Sequence, residues 1–250
     1  MISIIMPAYN AARYIEEAIT SVLNQTYQNW ELIIIDDYST DETAQLIQAF
    51  CKKDSRILYI INKINLGVAK SRNKGISIAA GEWVAFLDSD DCWHPEKLKK
   101  QIDFAESHKG EFIFSGSGFM DQSSTLLDYY LAVPEAITYK ELLKQNIISC
   151  SSVLIRKSLL INYPMEHASK MHEDFAVWLQ ILRNETNFAY GINEPLLIYR
   201  ITSTSKSGNK IKAGLMTFRV YRYLGIHFVP AFYYWICYFI RSIKKYSRLL

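Results

Sequence analysis

The sequence predicts an α/β fold, a mostly parallel sheet with helices on both faces, and three observations carry that expectation. The runs over residues 3–6, 30–35, 57–61 and 83–87 are apolar apart from Ser3 and Glu31 and do not alternate with polar residues, as strands buried on both faces require. Between them lie stretches whose apolar residues recur at helical spacing, and strand–helix repeats in series build a parallel sheet. Two of the runs end abruptly in carboxylates, Asp36-Asp37 and Asp88-Ser89-Asp90-Asp91. A buried strand cannot carry unpaired charge in its interior. The carboxylates therefore mark where the chain leaves the sheet, on the carboxyl edge at which open α/β sheets bind ligands.

Each element has its own signature. The first strand is expected to stop at Pro7, and Ala8-Tyr9-Asn10 turns the chain into a helix over residues 11–25. After the second strand, Ser39-Thr40-Asp41-Glu42 has the capping-box pattern and opens a helix over 42–53. A helix over 68–80 follows the third strand and ends at Gly81, a residue suited to the position after a helix. Pro95 starts a helix that reaches His108, and residues 112–115 form a fifth strand. Beyond residue 120 the pattern loosens. A short helix is expected over 139–145, a strand over 152–155, a helix opened by Glu173-Asp174 and a last strand over 196–199. This half reads as an elaboration of the first domain.

Composition narrows the functional classes. The chain has 250 residues, half of them hydrophobic and 14% aromatic, which supports a full core and excludes disorder. The four cysteines are scattered without a C-x-x-C pair, against a zinc site or disulfide framework and in keeping with a reducing cytoplasm. The start of the chain lacks a basic stretch and is not expected to be a secretory leader. Charge is segregated: after Glu194 there is no Asp or Glu, while ten of the 28 Lys and Arg lie there. The two regions are expected to meet different partners.

At the sheet edge, clustered carboxylates repel one another unless a cation sits among them, and oxygen ligands suit Mg²⁺ or Mn²⁺. Tyr9 can stack on a base, Asp37 can accept from a ring N–H, and Lys70 and Arg72 open a helix that can face phosphates. Each has a plainer reading. Asp88 to Asp91 serve equally as a turn and helix cap, Asp37 as a turn residue, and Lys70 and Arg72 as a solvated helix face. Their convergence at one edge favours a nucleotide-diphosphate site.

Five ordered segments go further. They are residues 3–10 (SIIMPAYN), 21–27 (SVLNQTY), 35–41 (IDDYSTD), 65–73 (NLGVAKSRN) and 87–91 (LDSDD). Residues 1–120 resemble the nucleotide-sugar domain of glycosyltransferase family 2, which has the GT-A fold, a Rossmann-like sheet. The resemblance implies that Pro7, Tyr9 and Asp37 hold the uracil of a UDP-sugar, with Asp36 nearby and Arg72 facing the donor. Asp88-Ser89-Asp90 matches the family's D-x-D motif, and the resemblance implies that Asp88 and Asp90 bind the donor nucleotide, Asp90 at the ribose or at metal-bound waters, with Asp90 or Asp91 as the metal ligand. Position 38, usually glycine in the family, is Tyr38 here. His172-Glu173-Asp174 resembles the motif that supplies the catalytic base, with Asp174 first and Glu173 second, and one base opposite the leaving group implies inversion. Tyr199-Arg200 resembles a strand leading into a loop over the site. Thr202 stands where some members carry a metal-binding histidine, so no third protein ligand is expected from that loop.

The tail completes the reading. Residues 224–240 hold no Asp, Glu, Lys or Arg, include seven aromatics and contain Pro230. The stretch is short for a membrane span, and an aromatic, apolar surface beside basic residues fits a helix lying in an anionic membrane interface. Packing on the catalytic domain or between two copies of the chain is the alternative. The expected organisation is a catalytic domain over 1–205, divided near 120 into donor and acceptor halves, and a membrane-associating tail over 206–250. Taken with the resemblance, this implies an inverting, metal-dependent glycosyltransferase, peripheral on the cytoplasmic face of the plasma membrane. Its acceptor would be a lipid-linked saccharide in surface polysaccharide assembly. A nucleic-acid partner is not expected. A catalytically inactive nucleotide-sugar-binding scaffold is one rival, and a nucleotidyltransferase is the other, disfavoured by the absence of a glycine-rich G-x-G loop.

Overall fold

The computed structural model describes residues 1–202 and 210–246. Its elements in chain order are β1 (Ile2–Ala8), α1 (Ile15–Leu23), β2 (Trp30–Asp36), α2 (Thr43–Cys51), β3 (Ile57–Ile61), α3 (Val68–Ile78), β4 (Trp83–Phe86), β5 (Cys92–Trp93), α4 (Lys97–His108) and β6 (Phe112–Met120). There follow β7 (Leu126–Leu131), β8 (Ala136–Ile137), α5 (Tyr139–Leu142), a 3₁₀ turn (Cys150–Ser152), β9 (Leu154–Arg156), α6 (Lys157–Leu160), α7 (Glu173–Asn184), β10 (Ala189–Arg200), α8 (Lys210–Tyr223) and α9 (Phe228–Tyr246). The sheet runs β3-β2-β1-β4-β9-β6-β10-β5, with β7 on β6 and β8 on β10.

The N-terminal half is the predicted parallel sheet: β1 pairs in parallel with β2 and β4, and β2 with β3. Period-2 alternation sends side chains to two cores. Ile2, Ile4, Met6, Leu32 and Ile34 pack beneath α1, α2 and α4, while Ile5, Ile33 and Ile35 pack beneath α3 and α7. Further along the chain, β9 lies antiparallel between β4 and β6, and β6 pairs in parallel with β10.

Several local expectations are corrected. β1 does not stop at Pro7: its pairing with β2 continues through Pro7↔Ile35 to Ala8↔Asp36, whereas its pairing with β4 ends at Ile5↔Phe86. The missing proline N–H therefore falls where one side of the strand is already unpaired. The capping box at Ser39 does not form. α2 begins at Thr43 without a side-chain cap, because Ser39 Oγ accepts instead from Asn10 N at 2.9 Å. A complete box forms at Thr138 and Glu141 ahead of α5. Gly81 does not close α3, whose C-cap is Ala79. A Cβ on Gly81 would stand 2.7 Å from Ser3 N and Oγ, so the glycine serves a close approach to β1.

The tail is helical, as predicted. It is a pair of helices, and Pro230 falls in the first turn of α9, where a missing N–H costs little. One face packs on the domain: Val220, Tyr221 and Ala231 are fully buried in the core beside α7, and Tyr221 donates to Leu143 O at 2.6 Å. The other face exposes Phe228, Phe232, Tyr233, Ile236, Phe239 and Ile240. Among the described residues no helix is long and apolar enough to cross a membrane. The expected boundary at 205/206 lies outside the described residues.

Candidate functional site

The sheet places the ends of β2, β1 and β4 side by side, and the loops leaving them hold most of the sequence-predicted residues. Pro7 is buried within β1, while Tyr9 is 52% exposed beyond its end. Asp36 and Asp37 are both buried. Asp36 accepts from Ser39 N at 2.9 Å and from the Tyr59 hydroxyl at 2.7 Å, so its carboxylate holds the turn. Asp37 accepts from Asn62 Nδ2 and Leu66 N, each at 2.8 Å, and from Gly67 N at 2.7 Å. It fixes the 62–67 loop ahead of α3 and keeps only part of its acceptor capacity for a ligand.

α3 then delivers Arg72. Gly75, one turn on, lets the helix lie close to β1, since a Cβ there would meet Ile5 Cγ2 at 2.5 Å. Arg72 is buried and does not form the solvated face that its position allowed. Its Nη2 donates to Asp88 Oδ1 at 2.5 Å and its Nη1 to Glu173 Oε1 at 2.9 Å, and among the described residues its Nε has no hydrogen-bond partner. Lys70, by contrast, is exposed.

The acidic loop follows β4. Asp88 N donates to Ser151 Oγ at 3.1 Å, and Asp91 N to Asp88 O at 3.1 Å. Asp91 is buried. Its Oδ1 accepts from Arg200 N at 3.0 Å, and the Ser151 side chain stands close enough to favour its charged form, while among the described residues its Oδ2 has no partner in hydrogen-bond geometry. Burial first, then the charges of Asp90 and Asp88, push the Asp91 carboxyl well above its ordinary range. Burial and the charge of Asp88 push Asp90 up to about 6. Across the cleft, Glu173 and Asp174 open α7. Glu173 is buried on Arg72, and Asp174 is half-buried. Burial, and next the charge of Glu173, raise the Asp174 carboxyl above its usual value.

Four participants were not singled out as site residues from the sequence. Ser151 holds the Asp88 backbone, and Trp93 Nε1 in turn donates to Ser151 O at 2.7 Å. Cys150 is buried close enough to feel Arg72, Asp88, Glu173 and Asp174. Arg200 clasps the acidic loop from behind. Its Nε donates to Asp90 O at 2.8 Å, its Nη1 to Ser124 Oγ at 2.8 Å and its Nη2 to Glu17 Oε2 at 2.6 Å. The serines and the cysteine carry no motif. Arg200 was visible only as part of a Tyr-Arg pair.

Chemically, Asp88 and Glu173 pair with the Arg72 guanidinium, Asp90 and Asp174 lie within reach of its charge, and Asp91 accepts from the Arg200 backbone. Among the described residues, no group of three or more His, Cys, Asp or Glu is placed to hold a metal ion by itself. The donor set still fits a hard divalent cation of the kind that keeps several waters and substrate phosphates in its shell. It offers a buried carboxylate oxygen without a hydrogen-bond partner among the described residues and a neighbouring carboxyl whose charge is poorly balanced.

Comparison with known proteins agrees with this geometry. Residues 3–160 match the family model for glycosyl transferase family 2. The chain is 40% identical over 246 residues to a putative teichuronic acid biosynthesis glycosyltransferase, TuaG, of Bacillus subtilis, covering 98% of this chain and 97% of that one. It is 34% identical over 249 residues to WfgD of Escherichia coli, a UDP-Glc:α-D-GlcNAc-diphosphoundecaprenol β-1,3-glucosyltransferase, covering 99% of this chain and 95% of that one. In fold it resembles the S. aureus TarS 1-349 crystal structure in complex with UDP-GlcNAc, with a TM-score of 0.75 and 21% identity. That match covers 90% of this chain and 65% of that one. The sheet is thus that of a GT-A glycosyltransferase, and with relatives matching over nearly its whole length this chain belongs to glycosyltransferase family 2.

Proposed function

We propose that the protein is an inverting, metal-dependent glycosyltransferase that moves a sugar from a UDP donor to a lipid-linked saccharide during cell-surface polysaccharide assembly. The observation that carries this reading is the placement of Asp174 opposite the Asp88–Asp91 loop, with Arg72 bridging Asp88 to its neighbour Glu173. The diphosphate would lie at the acidic loop, and the acceptor hydroxyl would approach the anomeric carbon from the α7 side. Asp174 takes the hydroxyl proton as the new C–O bond forms and the bond to the diphosphate breaks, so attack from the face opposite the leaving group inverts the centre. Burial has already raised the proton affinity of Asp174, which suits a general base working near neutral pH. Asp90 and Asp91 would hold Mn²⁺ or Mg²⁺, whose Lewis acidity offsets charge on the departing diphosphate. Tyr9 would stack on the uracil, with Pro7, Asp36 and Asp37 shaping the pocket beneath it.

The acceptor reading draws on the relatives, one named for teichuronic acid synthesis and one for a diphosphoundecaprenol-linked acceptor. The exposed apolar face of α9, with exposed Arg241 at its far end and exposed Arg219 and Arg222 on α8, suits attachment to an anionic membrane surface on the cytoplasmic side.

Calorimetric titration with UDP, GDP, dTDP and CDP, each with Mn²⁺ or with EDTA, tests the donor assignment. UDP alone is expected to bind, and only with metal. Asp174→Asn is expected to keep that binding and lose about 10²- to 10⁴-fold in sugar transfer. Unimpaired transfer by Asp174→Asn sinks the base assignment, and preferred binding of GDP or dTDP sinks the uridine assignment.

A further inference from the structure

A second tyrosine stands at the mouth of the proposed donor site. Tyr38, the residue after Asp37, has a left-handed backbone with φ 69°, a conformation that is a genuine outlier for a bulky side chain. The residue is 52% exposed, as exposed as Tyr9. Burial does not repay the strain.

The surrounding backbone leaves no freedom to relax it. Asp37 N donates to Ala8 O at 2.7 Å, which keeps the two chain segments together past the end of the β1–β2 pairing. Beyond that point Asn10 N donates to Ser39 Oγ at 2.9 Å, Thr40 N to Asn10 Oδ1 at 2.9 Å and Ala11 N to Thr43 Oγ1 at 2.7 Å. Asn10 is also left-handed, φ 47°, but its side chain caps Thr40, and asparagine tolerates that region. Tyr38 has no such compensation. Residues held in disfavoured backbone regions collect at functional sites.

Position then gives the strain a use. The strand order β2-β1-β4 puts the exits of Tyr38, Tyr9 and the acidic loop in a row, and adjacent strands lie about 4.8 Å apart. Tyr38 therefore leaves the sheet roughly 10 Å from the strand that carries Asp88. A nucleotide with its diphosphate at the Asp88–Asp91 loop extends past Tyr9 toward Tyr38. We infer that Tyr38 is a base-binding residue whose ring, together with that of Tyr9, walls the nucleobase of the donor. The inference rests on the donor-nucleotide reading above.

The test measures stability and affinity together on the full chain. Tyr38→Gly is expected to melt at or above the wild-type temperature, because glycine accepts a positive φ. It is expected to bind UDP with Mn²⁺ roughly tenfold more weakly, the size of losing one aromatic face on a base. Tyr38→Phe, which keeps the ring, is expected to bind like wild type. Equal UDP affinity in wild type and Tyr38→Gly overturns the inference while leaving the donor reading intact. A fall in melting temperature that tracks the loss of affinity also overturns it, since the ring would then be a packing element. If wild type binds no nucleoside diphosphate, the donor reading fails and takes this one with it.

Discussion

Arg72 Nη1 lies 2.9 Å from Glu173 Oε1, a buried ion pair between residues 101 positions apart that ties α3 to the helix carrying Asp174. The two halves of the cleft are thus fixed to each other by one guanidinium, which also holds Asp88. Removing one partner of a buried pair leaves the other charge without compensation, at a cost of about 3–5 kcal/mol. Arg72→Ala is therefore expected to lower stability by that amount in urea unfolding. The double change Arg72→Met with Glu173→Met should recover much of the loss, since apolar isosteres often match a buried pair, without recovering transfer activity. A single Arg72→Ala variant within about 1 kcal/mol of wild type would show that the pair is not compensating buried charge.

The pH response of Asp174 follows from the direction of its shift. Burial and then Glu173 raise its carboxyl in the folded protein, so the folded chain holds the proton more tightly than the unfolded one. Its contribution to stability is neutral below the unfolded value of about 4 and becomes unfavourable as pH rises through the raised folded value. Asp174→Asn should match wild type in denaturant melts at low pH and exceed it at pH 8. Turnover runs the other way, because the base must be unprotonated: the acid limb of kcat is expected above the ordinary carboxylate range. A variant no more stable than wild type at pH 8 would contradict the shift.

The sequence made the sheet edge legible because its signals there are covalently local. An apolar run that ends in Asp36-Asp37 or in Asp88 to Asp91 has only one way to leave a buried sheet, and the expected loops converge as predicted. The direction of each carboxylate was not legible. Nothing in the local residues tells that Asp37 turns onto Leu66 and Gly67 or that Arg72 is swallowed between Asp88 and Glu173, since both depend on partners distant in the chain. Ser39-x-x-Glu42 and Thr138-x-x-Glu141 are the same pattern, yet only the second closes a box, because Asn10 claims Ser39 first. β5 and β8 have two residues each, and much of β7 is exposed. Such segments exist by pairing with β6 and β10 and carry no periodicity of their own.

Arg200 offers a test of how the acidic loop is held. Its side chain is fully buried, donates from three nitrogens, and stacks 4.2 Å over the Tyr14 ring. Lysine offers one point charge where the guanidinium offers a planar fork, so Arg200→Lys should lose several of these bonds at about 1–3 kcal/mol for each buried group left unpaired. Because its Nε holds Asp90 O, while the bond to Asp91 Oδ1 comes from the backbone N–H and survives the substitution, the variant is also expected to bind UDP with Mn²⁺ more weakly at temperatures well below its melting point. Loss of stability with unchanged UDP affinity would confine Arg200 to the scaffold.

The tail separates two roles by face. Tyr221 faces inward and donates to Leu143 O, so Tyr221→Phe should cost about 1 kcal/mol in unfolding and leave surface properties unchanged. Phe232 and Phe239 face outward, 46% and 51% exposed, and stand seven positions apart on one stripe of α9. Replacing both by Asp removes apolar area from the stripe and adds charge opposed to anionic lipid, while touching little of the core. The double variant is expected to melt like wild type, to stay active on a water-soluble acceptor, and to lose sedimentation with vesicles containing phosphatidylglycerol. Wild type should lose that sedimentation only partly in high salt, because salt screens the basic residues but not the aromatic stripe. If the double variant still sediments with those vesicles, α9 is not the attachment surface. A wild-type chain that dimerises through this face would instead shift in sedimentation velocity, and the double variant would return it to a monomer.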